Sequence, residues 1–268
     1  MGRYSAQKIK MMKIAKLIIS SMLLTAAFSA CFASSPKVIA HRGYWKTAGS
    51  AQNSIKALQK ADSIRAYGSE FDVWLTADSA LVVNHDQVFK GVDMAASPAS
   101  VSLSVVLDNG ERLPSLSSYL EEAKLHPSLR LIFELKSEGD SKRETAACRK
   151  AFDMLKKYDL MSRTDFISFS LNACKEFHRI APEVPVYYLN GELSPKEIKK
   201  LGFAGIDYSW KVIEKHPEWV AEAHDLGLKV NVWTVDKPEI MQRMIDLNVD
   251  FITTNHPEQL QSLILSAQ

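Results

Sequence analysis

Eight short β-rich runs, separated by stretches with helical periodicity, limit what this chain can fold into. They are 37–41 (KVIAH), 69–73 (SEFDV), 130–135 (RLIFEL), 166–170 (FISFS), 185–189 (PVYYL), 204–208 (AGIDY), 228–233 (LKVNVW) and 250–254 (DFITT). Strands that alternate with crossover helices lie parallel in one sheet. Eight such units in a chain of 268 residues match the α/β class and a (β/α)8 TIM-type barrel, which typically takes roughly 250 residues. Helix signals fall between the runs. Ser194, Pro195 and Glu197 combine an N-cap, a first-position proline and a cap-returning glutamate. Ser141 with Glu144, and Asp236 with Glu239, have capping-box spacing, while Gly68 and Gly202 stand where helix C-caps are expected.

One segment breaks the alternation. After SEFDV the chain continues WLTADSALVVNHD, with a second β-rich run only a few residues later. A parallel strand needs a crossover of a dozen or more residues, so this run must return antiparallel, turning near Asp78 and Ser79. The return delivers His85 and Asp86 to the end of the barrel that the second strand has just left. Residues 90–114 are expected to form a small insertion over the same face, so hairpin and insertion together occupy about 73–114.

The N-terminus reads differently. Arg3, Lys8, Lys10, Lys13 and Lys16 precede the apolar run 17–30 and then small residues, the pattern of a secretory signal peptide. The run is shorter than the roughly 20 residues a spanning helix needs. FSAC (28–31) resembles a lipobox, which would lipidate Cys31 and attach the protein to a bacterial envelope membrane. Cleavage after Ala30 or Ala33 by the ordinary signal peptidase would instead release it to the periplasm. Residues 1–35 are therefore expected to be a signal with a short mature N-terminal segment, and 36–268 the barrel. Cys148 and Cys174 are too few for a disulfide scaffold and fall in helical patterns as small buried thiols. The net charge of +2, with much of the basic excess before residue 17, leaves no basic stripe for a nucleic-acid partner.

In such a barrel the side chains at the C-terminal ends of the strands converge on the active site. His41 and Arg42 end the first strand. Glu70 and Asp72 lie two apart in the second and share a face, Glu134 and Lys136 repeat that spacing in the third, and His85 returns on the hairpin. Glu70, Asp72 and Glu134 repel one another unless a cation joins them. An all-oxygen set suits a hard ion, Ca2+ or Mg2+, rather than zinc. Three carboxylates against a dication plus Arg42 and Lys136 leave one net positive charge, which complements a phosphodiester. Arg42 can grip two phosphate oxygens in a fork and Lys136 supplies a point charge. His41 and His85, with ordinary pKa values about 6.5, can divide general acid and general base work.

At these residues the sequence resembles the glycerophosphodiester phosphodiesterase family. The matching segments are AHRG (40–43), GSEFDVWLTAD (68–78), LVVNHD (81–86), FELK (133–136) and VNVWTVD (230–236), spread over about 38–257. The resemblance implies a TIM barrel with a divalent metal, hydrolysing glycerophosphodiesters to glycerol 3-phosphate and an alcohol. It implies that His41 and His85 are the acid–base pair, Glu70, Asp72 and Glu134 the metal ligands, Arg42 and Lys136 the phosphate contacts, and Trp233 an aromatic at the mouth. Attack by the neighbouring glycerol hydroxyl through a cyclic phosphate and direct attack by water are both open. Gln52 stands where the family has a glutamate, Asn255 where it has an aspartate, and Ser79–Ala80 where the hairpin has a glycine. Two other readings keep the same residues: a phospholipase-type enzyme acting on lipid head groups, and a non-catalytic envelope protein that binds phosphate.

Overall fold

The computed structural model describes residues 35–266, and the expectations for residues 1–34, the signal segment and Cys31, lie outside them. Eight parallel strands close a barrel: β1 (Lys37–Ala40), β2 (Gly68–Leu75), β3 (Arg130–Leu135), β4 (Thr164–Ser168), β5 (Val186–Tyr188), β6 (Gly205–Ser209), β7 (Lys229–Trp233) and β8 (Phe251–Thr254). Each pairs with its sequence neighbours, and β1 pairs with both β2 and β8, which closes the ring. The strand expected over 166–170 sits two residues earlier. Ser170 is withdrawn from it because its hydroxyl caps the helix Leu171–Ile180, accepting from Ala173 N.

Strand periodicity sorts the side chains between two cores. Outward residues Phe71, Phe133 and Phe166 pack beneath the helices, where Phe166 stacks on Phe177 with ring centroids 3.9 Å apart. Burying each such ring contributes about 1.5–3 kcal/mol. Inward residues Ile39, Ile132, Ile167 and Tyr187 fill the barrel interior. Cys148 and Cys174 are buried free thiols on helices, as expected.

The return strand Leu81–Val83 pairs antiparallel with β2 from Val73 to Leu75. Ser79 adopts φ 63° at the turn, a left-handed conformation that glycine takes more readily. The following insertion holds a two-strand ribbon (Val88–Phe89 with Val92–Asp93) and one helical turn, Ala99–Ser102. It packs through Met94, Val105, Leu107 and Leu113 onto Trp74 and Val82. Glu111 anchors it to the first helix, Ile55–Ser63, by accepting from Ile55 N at 3.0 Å. The insertion thus lies over the end of the barrel where the strands finish.

Two helix-end expectations hold: Ser194 and Glu197 form the capping box, and Gly202 ends its helix with φ 77°. Three do not. Asp140, not Ser141, caps Ser141–Lys157 by accepting from Lys142 N and Arg143 N; Glu144 is buried and accepts from Ser170 and Asn172 instead. Lys237 takes the N-cap place before Pro238–Asp246, because the Asp236 carboxylate is engaged by Asn255. Gly68 opens β2 rather than closing a helix, and a Cβ there would lie 3.1 Å from Arg130 O. Its role is close strand approach.

Candidate active site

The turn after β1 is built by backbone strain and one necessary glycine. Arg42 has φ 55° and Gly43 φ 73°. A Cβ on Gly43 would meet the Ala57 Cβ at 2.6 Å, so only glycine lets the first helix approach this closely. Gly43 N donates to Glu70 O at 3.0 Å, and Arg42 N donates to the Glu70 carboxylate at 2.7 Å. A left-handed arginine costs of order 1–3 kcal/mol, which the surrounding contacts must offset. In return its guanidinium lies beside β2: Nη1 donates to the Gln52 side-chain oxygen, and Nε stands 3.8 Å from Asp72. Gln52 therefore engages Arg42 through a neutral amide.

Glu70, Asp72 and Glu134 are all buried, and an oxygen from each lies within 4.8 Å of the others. Asn53, itself buried, clamps Asp72 by donating to its carboxylate at 2.8 Å and accepting from its backbone N at 3.2 Å. Lys136 donates to Glu134 at 2.7 Å and to Asp72 at 3.3 Å. The Glu70 Oε1 oxygen and the Arg42 Nε are buried without any hydrogen-bond partner. One is an acceptor waiting for a cation and the other a donor waiting for an anion. Burial, then repulsion from Asp72 and Glu134, pushes the Glu70 carboxyl well up. Burial and Asp72 likewise raise Glu134, to about 7, against the pull of Lys136. Burial also opposes the Asp72 charge, but Lys136, His85, Arg42 and Asn53 outweigh it and hold the group at about 2. Three buried acids of which two resist ionisation form a set that a hard dication would satisfy, so the residues present fit the expected metal.

Both histidines line the same cavity as Glu70, Glu134 and Arg42. Their partners fix their tautomers. Asn255 Oδ1 accepts from Trp45 Nε1 at 2.8 Å, and Asn255 Nδ2 donates to Asp236 at 2.8 Å. An indole N–H only donates, so the amide orientation is set and His41 Nδ1, 2.9 Å from that oxygen, must donate to it. His41 Nε2 is left as an acceptor. His85 Nδ1 donates to the Asp86 carboxylate at 2.7 Å, which leaves its Nε2 for chemistry as well, and Trp74 Nε1 holds the His85 carbonyl at 3.1 Å. Burial, reinforced by Arg42, lowers His41 to about 4; burial also lowers His85, with Asp72 opposing. Trp233 reaches the mouth as expected, its ring against Phe169 and its N–H spent on the Asp207 carbonyl, so that it offers a face rather than a donor. All eight residues expected at the site thus meet at one end of the barrel. Asn53, Trp45, Asp236 and Asp207 were not anticipated as members.

A family profile described as the glycerophosphoryl diester phosphodiesterase family matches residues 41–259. The chain belongs to this family. It is a phosphoric diester hydrolase of the glycerophosphodiester class, built on the family's barrel. Among solved structures, a glycerophosphodiester phosphodiesterase from Parabacteroides distasonis is similar at 53% identity and TM-score 0.86, covering 87% of this chain and 99% of that one. A phosphodiesterase from Oleispira antarctica, solved with the product sn-glycerol-3-phosphate, shares the fold at 24% identity and TM-score 0.73, covering 86% and 97%. A curated glycerophosphodiester phosphodiesterase from Caldanaerobacter subterraneus is 28% identical over 85% of this chain and 97% of its own length. Family members hydrolyse glycerophosphodiesters, and the buried acidic trio suits the metal they depend on.

Proposed function

We propose that this protein hydrolyses glycerophosphodiesters to glycerol 3-phosphate and an alcohol, with Ca2+ or Mg2+ held by Glu70, Asp72 and Glu134. The observation that carries the metal is the orphaned, buried Glu70 oxygen within a trio of mutually repelling acids. When bound, the dication supplies Lewis-acid stabilisation of charge on the phosphoryl oxygens. The chain's own residues do the rest. Arg42 Nε, ion-paired with Asp72 but without a hydrogen-bond partner, can donate to a phosphate oxygen, and Lys136 adds positive charge beside it.

The charge of each histidine's partner divides the proton work. His41 rests on a neutral amide, Asn255, which gives its imidazolium little support and leaves Nε2 as the base that takes the proton from the attacking oxygen. His85 rests on the Asp86 carboxylate, which stabilises its protonated form and suits it to deliver a proton to the leaving alkoxide. Whether the attacking oxygen is water or the adjacent glycerol hydroxyl, the same base serves. The Oleispira antarctica complex with sn-glycerol-3-phosphate supports a small-molecule substrate. The basic stretch and apolar run before residue 31 support export to the envelope, with Cys31 as the lipid attachment point in the anchored form.

The test is product release from glycerophosphocholine and glycerophosphoethanolamine, with phospholipid vesicles run beside them. Glycerol 3-phosphate should appear from the soluble diesters, disappear with chelator and return with Ca2+ or Mg2+. His41→Ala should lower kcat by about 10²–10⁴-fold. Turnover that ignores both chelator and the loss of His41 would overturn the proposal.

A further inference from the structure

Beneath the carboxylate trio the barrel interior is not hydrocarbon alone. Asp207 on β6 stands opposite Asn231 on β7 in the sheet register, and both are buried. Asn231 spends its amide on Thr253, with Nδ2 donating to Oγ1 at 2.9 Å. Apart from the neighbouring Asn231 side chain, the Asp207 Oδ1 has no hydrogen-bond partner, although the residue is only 2% exposed. It lines the same cavity as His41, Glu70 and Glu134. A buried polar oxygen is costly to leave unpaired, and a donor from a ligand in this cavity would satisfy it. Ile167, Leu189 and Trp233 line the cavity around it and offer a carbon skeleton apolar walls.

The chemistry of Asp207 narrows the ligand group. Burial raises this carboxyl to about 8, with the Asn231 side chain opposing the rise. Whatever its protonation, the Asp207 Oδ1 accepts a hydrogen bond, and an alcohol O–H is a donor. An ionised phosphate oxygen only accepts, and Arg42 and Lys136 are the donors beside that group. On the other side of His85 lies a groove of about 310 Å3, walled by Trp45, Phe89 and Leu107, which leaves room for the second alcohol of a diester.

We infer that Asp207 hydrogen-bonds a hydroxyl of the substrate's polyol half, so that a glycerophosphodiester enters glycerol-first and its head-group alcohol points outward into the groove beside His85. This rests on the proposed function. Asp207 is then a specificity residue: it separates a polyol phosphate from an alkyl phosphate and leaves phosphate capture untouched.

Calorimetric binding to the Ca2+-loaded full chain tests this with sn-glycerol 3-phosphate and n-propyl phosphate. Wild type should favour the glycerol ester by about 10–100-fold, the range a hydroxyl bonded to a buried polar group commands. Asp207→Leu should bring that ratio close to one without weakening propyl phosphate, while Asp207→Asn, which still donates and accepts, should keep most of it. Asp207→Ala replaces the leucine variant if thermal denaturation shows the latter misfolded. Equal weakening of both ligands, an unchanged ratio in the leucine or alanine variant, or no preference in wild type would overturn the inference. The function is scored separately by glycerol 3-phosphate release from glycerophosphoethanolamine. Wild type that discriminates the two phosphates yet cleaves no diester would sink the function and leave the Asp207 contact standing.

Discussion

Metal binding should be a proton exchange, and its size follows from the acid trio. Two unit charges at the 4.8 Å limit of the cluster repel by about 3.5 kcal/mol at an effective dielectric near 20. That is about 2.5 pK units at 1.36 kcal/mol each. The rise of Glu134 from 4.5 to about 7, driven first by burial and then by Asp72, is of the same size. Without metal, the trio therefore holds at least one proton near neutrality, and a dication must displace it. Calcium titrated calorimetrically at pH 7 in two buffers of different ionisation enthalpy should release about one proton per ion. Affinity should fall about tenfold for each pH unit below 7 and level off above 8. Stability of the metal-free protein should move the opposite way. The folded Glu134 carboxyl keeps its proton where the unfolded one, at about 4.5, has lost it. Raising the pH from 4.5 to 7 should therefore destabilise the metal-free fold by on the order of 3 kcal/mol, and added calcium should restore more at pH 8 than at pH 6. Affinity independent of pH from 6 to 8 with no proton release would refute the reasoning.

Gly43→Ala should destabilise the fold by more than about 2 kcal/mol in denaturant titration, since φ 73° and the 2.6 Å approach to Ala57 act together. Asn255→Leu removes the acceptor that sets the His41 tautomer; kcat should fall about 10–100-fold with little change in metal affinity measured by calorimetry. Asn53→Ala leaves the buried Asp72 without its amide clamp and should weaken calcium binding about tenfold in the same titration, a loss typical of ligand-orienting groups.

Much of this architecture is legible along the chain because it is locally encoded. Strand runs, the too-short link between SEFDV and LVV, and the two-residue spacing of Glu70–Asp72 and Glu134–Lys136 all speak through neighbours in sequence. So does the Ser194–Glu197 box. The failures are residues whose local signal was outbid by a distant partner. Asp236 looks like a helix cap but binds Asn255 across 19 positions, and Glu144 reaches Ser170 across 26. Gly68 answers to Arg130 on the next barrel strand rather than to the helix before it. The support of His41 is the extreme case: its hydrogen bond to Asn255 spans 214 positions, and only ring closure of β1 against β8 brings the two together. Asn53 carried a weak cue in the Gln-Asn-Ser segment, where an amide beside a helix start reads as an ordinary cap. Asp207 carried none, since one acid in a strand reads as an exposed edge until the barrel shows it facing inward.

A crystal structure with calcium tests the central arrangement most directly. The account predicts an ion touching Glu70, Asp72 and Glu134 together at about 2.3–2.6 Å, with Glu70 Oε1 among its ligands and the Nε2 atoms of His41 and His85 facing the same cavity. An ion bound elsewhere, or one that leaves the Glu70 oxygen orphaned, would contradict it.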